Sequence, residues 1–86
     1  MGKAEIIARL RPIMATYVEE GNMPDELTED TDFIKDLKIN SANLVDIVLD
    51  TEEEFGIEID NLSMERMLNV GAAIEIIELK LAENDR

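Results

Sequence analysis

The sequence predicts an all-α fold: a small bundle of three main helices and one short helix, with a long loop between helices one and two. Apolar residues recur at steps of three and four in three separate stretches, which is the spacing of amphipathic helices. Sustained alternation of apolar and polar residues, which would indicate a β-sheet, does not occur. A chain of 86 residues has room for one hydrophobic core, so residues 1–86 are expected to form a single domain.

The first helix is expected over about residues 3–20. Pro12 interrupts this stretch, because proline lacks a backbone donor, so a kink or a later start of the helix is expected. Gly21 and Asn22 are expected to end it. The stripe of this helix consists of Ile6, Leu10, Ile13, Met14, Tyr17 and Val18.

Residues 23–40 contain scattered apolar residues with neither a helical nor a strand period, which predicts a long packed loop. Phe33 and Leu37 are four residues apart and are expected to hold this loop against the core. A calcium-binding EF-hand is excluded because Lys35 occupies the position that requires glycine, so no metal site is expected.

The second helix is expected over residues 41–55, with Gly56 as its terminator. Residues 57–60 alternate like a strand, but a lone strand of four residues has nothing to pair with, so an extended link is expected. The stripe of the second helix consists of Leu44, Ile47, Val48, Thr51 and Phe55.

A short helix is expected over about residues 62–68, with Asn61 or Ser63 as its cap. The last helix is expected over about residues 70–83, with Asn69 as its cap. Its stripe consists of Val70, Ile74, Ile77 and Leu81.

The composition excludes several kinds of catalytic site, because the chain has no histidine and no cysteine. It therefore has no Ser-His pair, no thiolate nucleophile and no zinc site with thiolate or imidazole ligands. The formal net charge of −13 disfavours nucleic acid as a partner and favours proteins with basic surfaces. No apolar stretch is long enough for export or membrane insertion, so a cytoplasmic protein is expected.

The second helix and the residues after it carry a run of carboxylates, with no basic residue between Lys38 and Arg66 to offset them. Two interpretations remain open: a solvated face that maintains solubility, or a docking surface for partners rich in lysine and arginine. Docking is favoured, because mixed charges would serve solubility equally well. The carboxylates are Asp46, Asp50, Glu52, Glu53, Glu54, Glu58, Asp60 and Glu65.

Ser41 stands where the packed loop turns into the second helix, and two interpretations of it compete. It is a helix cap, or it is a place where a group is attached. Asn40 could supply the cap and leave the Ser41 hydroxyl facing solvent. Because the chain has no histidine to deprotonate Ser41, a separate enzyme would have to modify it. A phosphoester there would lie at a helix N-terminus, which favours negative charge.

The stretch DLKINSANLVDIVLDTEEEFGIEIDNLSMERMLNVGAAIEII, residues 36–77, resembles the acyl carrier proteins and the related peptidyl and D-alanyl carriers. The resemblance implies that Ser41 carries 4'-phosphopantetheine, which a phosphopantetheinyl transferase takes from coenzyme A in a magnesium-dependent reaction. Asn40 and Ala42 would flank that arm. It also implies that the second helix docks on basic patches of partner enzymes. The docking residues would be Asp46, Asp50, Glu53 and Glu54.

The family's usual motif is D-S-L preceded by L-G-x, and this sequence keeps only its serine. Lys38 stands where glycine is usual, Asn40 where aspartate is usual, and Ala42 where leucine is usual. Asn43 replaces a residue that is commonly acidic. These departures favour a specialised carrier and predict slow modification by a housekeeping transferase.

The resemblance thus implies a monomeric acyl carrier, not an enzyme, that serves acyl-loading and acyl-transferring enzymes in fatty-acid or related lipid or polyketide biosynthesis. Three alternatives remain. The chain could be a D-alanyl or other aminoacyl or peptidyl carrier, an unmodified carrier-like module that only binds proteins, or a small carboxylate-based catalyst. The last is the weakest, because no two carboxylates stand in contrasting environments.

A long acyl chain would gain about 0.8 kcal/mol per CH₂ from shelter between helices. Two interpretations of the residues around the short helix are open. Unbranched methionines beside small residues let the short and last helices separate, or the methionines only fill gaps in the core. The residues concerned are Met64, Met67, Gly71, Ala72 and Ala73.

Overall fold

The computed structural model describes residues 2–84, apart from the side chains of Glu20 and Asn84. This part of the chain contains four α-helices and no β-strand, so the predicted all-α fold is confirmed. An isolated β-bridge joins Asp32 and Asn69. The elements in chain order are α1 (Lys3–Tyr17), a short 3-10 helix (Glu20–Asn22), α2 (Ser41–Phe55), α3 (Asn61–Arg66) and α4 (Val70–Asn84).

The core consists of one face from each of the three long helices, together with the long loop. The predicted stripes are confirmed, since most of their residues are buried and the remainder are half-buried. Thr51 is buried in the middle of α2, and its hydroxyl donates to the Ile47 carbonyl at 2.7 Å. The buried helical side chains include Ile6, Leu10, Met14, Ile47, Val48, Phe55, Val70, Ala73, Ile74 and Ile77.

The first helix begins at the predicted residue but ends earlier than predicted. It begins at Lys3, so the predicted late start at Pro12 is wrong. Pro12 is tolerated because Ala8, whose carbonyl loses its usual donor, lies on the exposed side where water can reach it. The helix ends at Tyr17, because the backbone becomes extended at the buried residue Val18 (φ −101°, ψ 133°). Gly21 is therefore not the terminator. The kink at Pro12 stays a prediction.

The long loop between α1 and α2 is packed against the core, as predicted. Phe33 and Leu37 are each 1% exposed, so both anchor it. The loop is also tied to the start of α4, where the Gly71 amide donates to the Glu29 carbonyl at 2.8 Å. A Cβ atom on Gly71 would lie 2.9 Å from that carbonyl oxygen. A glycine is thus required where the loop crosses α4.

The predicted terminator of α2 is confirmed, since Gly56 adopts the left-handed conformation (φ 66°, ψ 40°) that favours glycine. The predicted cap of α4 is also confirmed: the Asn69 Oδ1 atom accepts from the Ala72 amide at 2.8 Å. The residues between these two helices include the extended link over 57–60.

The short helix begins within one residue of the predicted start, but its cap and its end differ from the prediction. The helix begins at Asn61, and its cap is Asp60, whose Oδ1 atom accepts from the Ser63 amide at 3.3 Å. A carboxylate just before the first turn is a good cap, because it accepts from free amides and complements the helix dipole. The helix ends at Arg66, and Met67 is left fully buried in the connection to α4.

Candidate functional site

Ser41 is the first residue of α2 and is exposed. Its neighbour Asn40 is the helix cap: the Asn40 Oδ1 atom accepts from the Ala42 amide at 2.8 Å. The Asn40 carbonyl accepts from the next two amides, those of Asn43 at 2.9 Å and Leu44 at 3.1 Å. Asn40 thus satisfies the first turn by itself. The Ser41 hydroxyl makes no hydrogen bond to any described residue, and Ser41 is exposed to solvent.

The loop residues before Ser41 fix its position by alternating burial. Leu37 and Ile39 are 1% and 2% exposed, and the Ile39 amide donates to the Phe33 carbonyl at 3.0 Å. Lys38, between them, is exposed. Its φ is 58°, and no other non-glycine residue in the described range has a positive φ. The site therefore begins on a strained left-handed residue held between two buried anchors.

The four predicted docking carboxylates do not form one uniform face. Asp46 and Glu53 are exposed, whereas Asp50 is half-buried and accepts a hydrogen bond from the Tyr17 hydroxyl at 2.8 Å. Glu54 is exposed but lies 3.9 Å from the Arg9 guanidinium. No basic residue within the acidic run offsets it, but α1 supplies a partner for Asp50 and for Glu54 from across the helix interface.

The bond to Asp50 perturbs the Tyr17 phenol. It raises the pKa of Tyr17, with smaller contributions in the same direction from desolvation and from the negative charges of Asp50 and Asp46. Tyr17 therefore stays a hydrogen-bond donor across the physiological pH range, and it holds the Asp50 carboxylate toward α1.

An apolar stripe, absent from the sequence-based site, runs along α2 from Ser41. Val45 and Leu49 are 44% and 56% exposed, and they follow Ser41 at steps of four residues. Residues at this spacing share one side of a helix. The signal was present in the sequence, since both residues fall outside the core stripe. Together with Asp46 and Glu53, they form a surface that is apolar at its centre and charged at its rim, as many protein interfaces are.

A groove lies between the end of α2, the 57–60 link and the end of α4, and Leu49 and Glu53 of the surface just described are part of its lining. It has a volume of about 1020 Å³ and a lining rich in carboxylates. Lys80 crosses it, with its ammonium 3.9 Å from Asp60 and 3.8 Å from Glu83. An open, charged groove is a poor environment for an acyl chain.

The region between α3 and α4 is closed. Met67 and Ala73 are fully buried and Met64 is half-buried. Gly71 faces Glu29 of the long loop, so its small size is explained by that contact. Shelter for an acyl chain would require these helices to move apart, and it stays a prediction.

Two further observations concern metals and membranes. Within residues 2–84, no three acidic side chains converge in a way that could hold a metal ion. Among the described helices, none combines the length and apolar character needed to cross a membrane.

The chain matches known proteins over nearly its whole length. A family model described as "Protein of unknown function (DUF1493)" matches residues 2–86. The acyl carrier protein of Thermotoga maritima is 34% identical over 79 residues, covering 92% of this chain and 95% of that protein. The acyl carrier protein of Sulfurovum sp. is 44% identical over 67 residues, covering 77% and 89%. The solved structure of the acyl carrier protein from Enterococcus faecalis superposes with a TM-score of 0.74 at 28% identity, covering 93% of this chain and 99% of that one.

Proposed function

The chain belongs to the acyl carrier protein family, and from that premise we propose that it carries acyl groups as thioesters on a 4'-phosphopantetheine arm attached to Ser41. The observation that supports this most is the state of the Ser41 hydroxyl. It is exposed and unbonded at the start of α2, because Asn40 takes over the capping of the helix. A serine that served only as a cap would have its hydroxyl directed at its own helix.

The residues at this position suit a phosphodiester. In the attachment reaction the Ser41 oxygen bonds to the phosphorus that bears pantetheine, the pyrophosphate P–O bond of coenzyme A breaks, and adenosine 3',5'-bisphosphate leaves. The hydroxyl proton passes to a base of the transferase, because this chain has no histidine to accept it. Asn40 keeps Ser41 in place, and exposed Ala42 leaves the approach open. The attached arm supplies the thiol that a chain without cysteine lacks.

The proposed partners are the phosphopantetheinyl transferase and the enzymes that load and transfer the acyl group. Asp46 and Glu53 would contact their basic patches directly, and Val45 and Leu49 would fill the apolar centre of the contact. Asp50 and Glu54 would contribute less, because each already has a partner on α1. In this proposal the chain is a monomeric carrier in the cytoplasm, not an enzyme, and it serves fatty-acid or related lipid or polyketide biosynthesis.

Intact mass measurement of protein purified from its native cells tests the attachment. We expect a phosphopantetheine increment, with or without an acyl group, that disappears in Ser41→Ala. Ser63→Ala is the matched control, because Ser63 is the other serine of the chain and should leave the increment unchanged. Native protein without any increment would favour an unmodified protein-binding module. An aminoacyl mass on the arm would favour a D-alanyl or peptidyl carrier.

A second experiment tests the effect of the altered motif. With coenzyme A, magnesium and a housekeeping transferase, the Asn40→Asp, Ala42→Leu double variant is expected to be modified faster than the unsubstituted protein. Aspartate restores a charge that attracts a basic transferase, and leucine restores an apolar contact at the helix start. Equal rates would contradict the view that these two positions slow modification.

A further inference from the structure

The charge around α2 changes abruptly just after Val45. Residues 31–45 contain two aspartates and two lysines and are neutral overall, whereas residues 46–60 contain seven carboxylates and no basic residue. Ser41 lies in the neutral part, a few residues from the boundary. The surface that a partner meets at Ser41 is therefore different in charge from the surface farther along the helix.

The two aspartates of the neutral part are committed to their own loop. The Asp32 Oδ1 atom accepts from the amides of Ile34 at 2.9 Å and Lys35 at 2.8 Å. The Asp36 Oδ2 atom accepts from the Asp32 amide at 2.8 Å. The bond from the Lys35 amide is the main cause that lowers the pKa of Asp32. These carboxylates are thus occupied in holding the loop.

The two lysines form no such bonds through their side chains, although the charge of Lys35 also helps to lower the pKa of Asp32. Lys35 and Lys38 are exposed, and neither forms an ion pair with a described residue. Three other basic residues of the described range, Lys3, Arg9 and Lys80, form ion pairs with carboxylates. In a chain with eight basic and 21 acidic residues, two exposed lysines without an ion pair lie within six positions of Ser41 in the sequence.

The backbone of Lys38 also adopts a conformation that is unfavourable for lysine. Its φ of 58° is in the left-handed region, where glycine fits freely and a residue with a Cβ atom is strained. Strained residues of this kind tend to occur where function requires the side chain. Both of its neighbours are buried, whereas Lys38 itself is exposed to solvent.

Resting on the proposed function, we infer that this face is a bipolar docking surface for the phosphopantetheinyl transferase. Its cationic end is Lys38 with Lys35, and its anionic end is Asp46 with Glu53. The transferase that fits it presents carboxylates beside the pocket that receives Ser41. It presents lysine or arginine residues about 7 to 18 Å away, which is the span from Ser41 to Asp46 and Glu53 at the helical rise of about 1.5 Å per residue. A transferase with a wholly basic patch would meet Lys38 with like charge, which reduces its selectivity for this chain.

The test measures the initial rate of phosphopantetheine transfer from coenzyme A to unmodified protein, with an extract of the source cells as the enzyme. Lys38→Gly removes the charge and suits the left-handed backbone, so slower loading cannot be attributed to misfolding. At low salt we expect Lys38→Gly to load about three- to tenfold more slowly, and Lys38→Glu more slowly still, because charges at the rim of an interface act mainly on association. Lys38→Arg keeps the charge and should load within about twofold of the unsubstituted protein. The differences should shrink at about 0.5 M salt, where exposed charges are screened.

Lys3→Gln is the matched control, because it removes one exposed lysine on a different element and should leave the rate unchanged. Equal rates for Lys38→Glu and the unsubstituted protein at low salt would overturn the inference. An equal loss in Lys3→Gln would overturn it too, because total charge would then explain the effect. If the unsubstituted protein gains no phosphopantetheine at all, the attachment at Ser41 fails and this inference fails with it. Modification of every variant at one rate would refute the inference and leave the attachment intact.

Discussion

Lys38 is the residue whose backbone conformation conflicts most with its identity. A left-handed φ costs a residue with a Cβ atom about 1–2 kcal/mol, whereas glycine adds about 0.5–1 kcal/mol of backbone entropy loss on folding. Lys38→Gly should therefore stabilise the fold by roughly 0.5–1 kcal/mol, seen as a higher urea midpoint. Lys35→Gly is the control, because Lys35 has no positive φ, and it should destabilise the protein. A lower midpoint for Lys38→Gly would show that the strain is not there.

Tyr17 reports on its contact with Asp50, because it is the only tyrosine of the chain. Because the pKa of Tyr17 is raised in the folded state, the contact with Asp50 stabilises the fold below about pH 10, the ordinary range of a phenol. This stabilisation is lost as the pH rises through the higher pKa of the folded state. Titration of the tyrosinate absorbance should give a midpoint above the ordinary range. Asp50→Asn should return it toward that range, and Glu53→Gln should not. A midpoint unaffected by Asp50→Asn would contradict the contact.

The candidate site was partly predictable at the scale of residues. Ser41 and its cap Asn40 follow from local spacing, because capping joins residues two or three positions apart. The bond from Tyr17 to Asp50 joins residues 33 positions apart in sequence, so no local pattern contains it. The left-handed φ of Lys38 had one sequence signal, a lysine where related carriers usually have glycine, but propensity alone does not reveal a positive φ.

At the scale of elements, apolar periodicity predicted the long helices because it records which face is buried. The ends of the helices depend on single contacts instead. Helix α1 ends before Val18, because the Val18 side chain is buried where the backbone is extended. Helix α3 begins after Asp60, because the Asp60 carboxylate accepts a hydrogen bond from the Ser63 amide. The loop over 23–40 was predictable as packed, but its attachment to Gly71 was not, because that contact is made through the backbone.

The short helix α3 should be the least stable element. It has six residues and none of them is buried, and Leu62 is 68% exposed. A helix that buries so little opens locally with a small free energy. In hydrogen exchange, the Met64 amide should therefore exchange much faster than the Thr51 amide in the middle of α2. Such opening is what shelter of an acyl chain between α3 and α4 requires. Equal protection of the two amides would contradict it.

The whole molecule is dominated by uncompensated negative charge. Four ion pairs join basic and acidic residues of the described range, and most of their side chains are well exposed. Exposed pairs of this kind contribute about 0–1 kcal/mol each. Most carboxylates among the described side chains therefore have no ion-pair partner. The folded chain therefore holds like charges close together, and the unfolded chain separates them, so repulsion lowers the free energy of unfolding at pH 7.

Relief of this repulsion should raise the melting temperature in two ways. Lowering the pH from 7 toward 5 begins to neutralise the carboxylates. Adding magnesium at pH 7 screens their charges. If magnesium ions also bind to the carboxylates, their effect exceeds that of sodium chloride at equal ionic strength. Below about pH 4 the trend should reverse. The pKa of Asp32 is lowered mainly by the hydrogen bond from the Lys35 backbone amide, and the pKa of Asp60 is lowered mainly by hydrogen bonding to Ser63. The stability that these two carboxylates contribute is present above their pKa in the unfolded chain and is lost as the pH falls through their pKa in the folded protein. Asp60→Asn should weaken this acid loss, because asparagine caps α3 without titrating. A melting temperature that falls both at pH 5 and with magnesium would show that repulsion does not limit the stability of this fold.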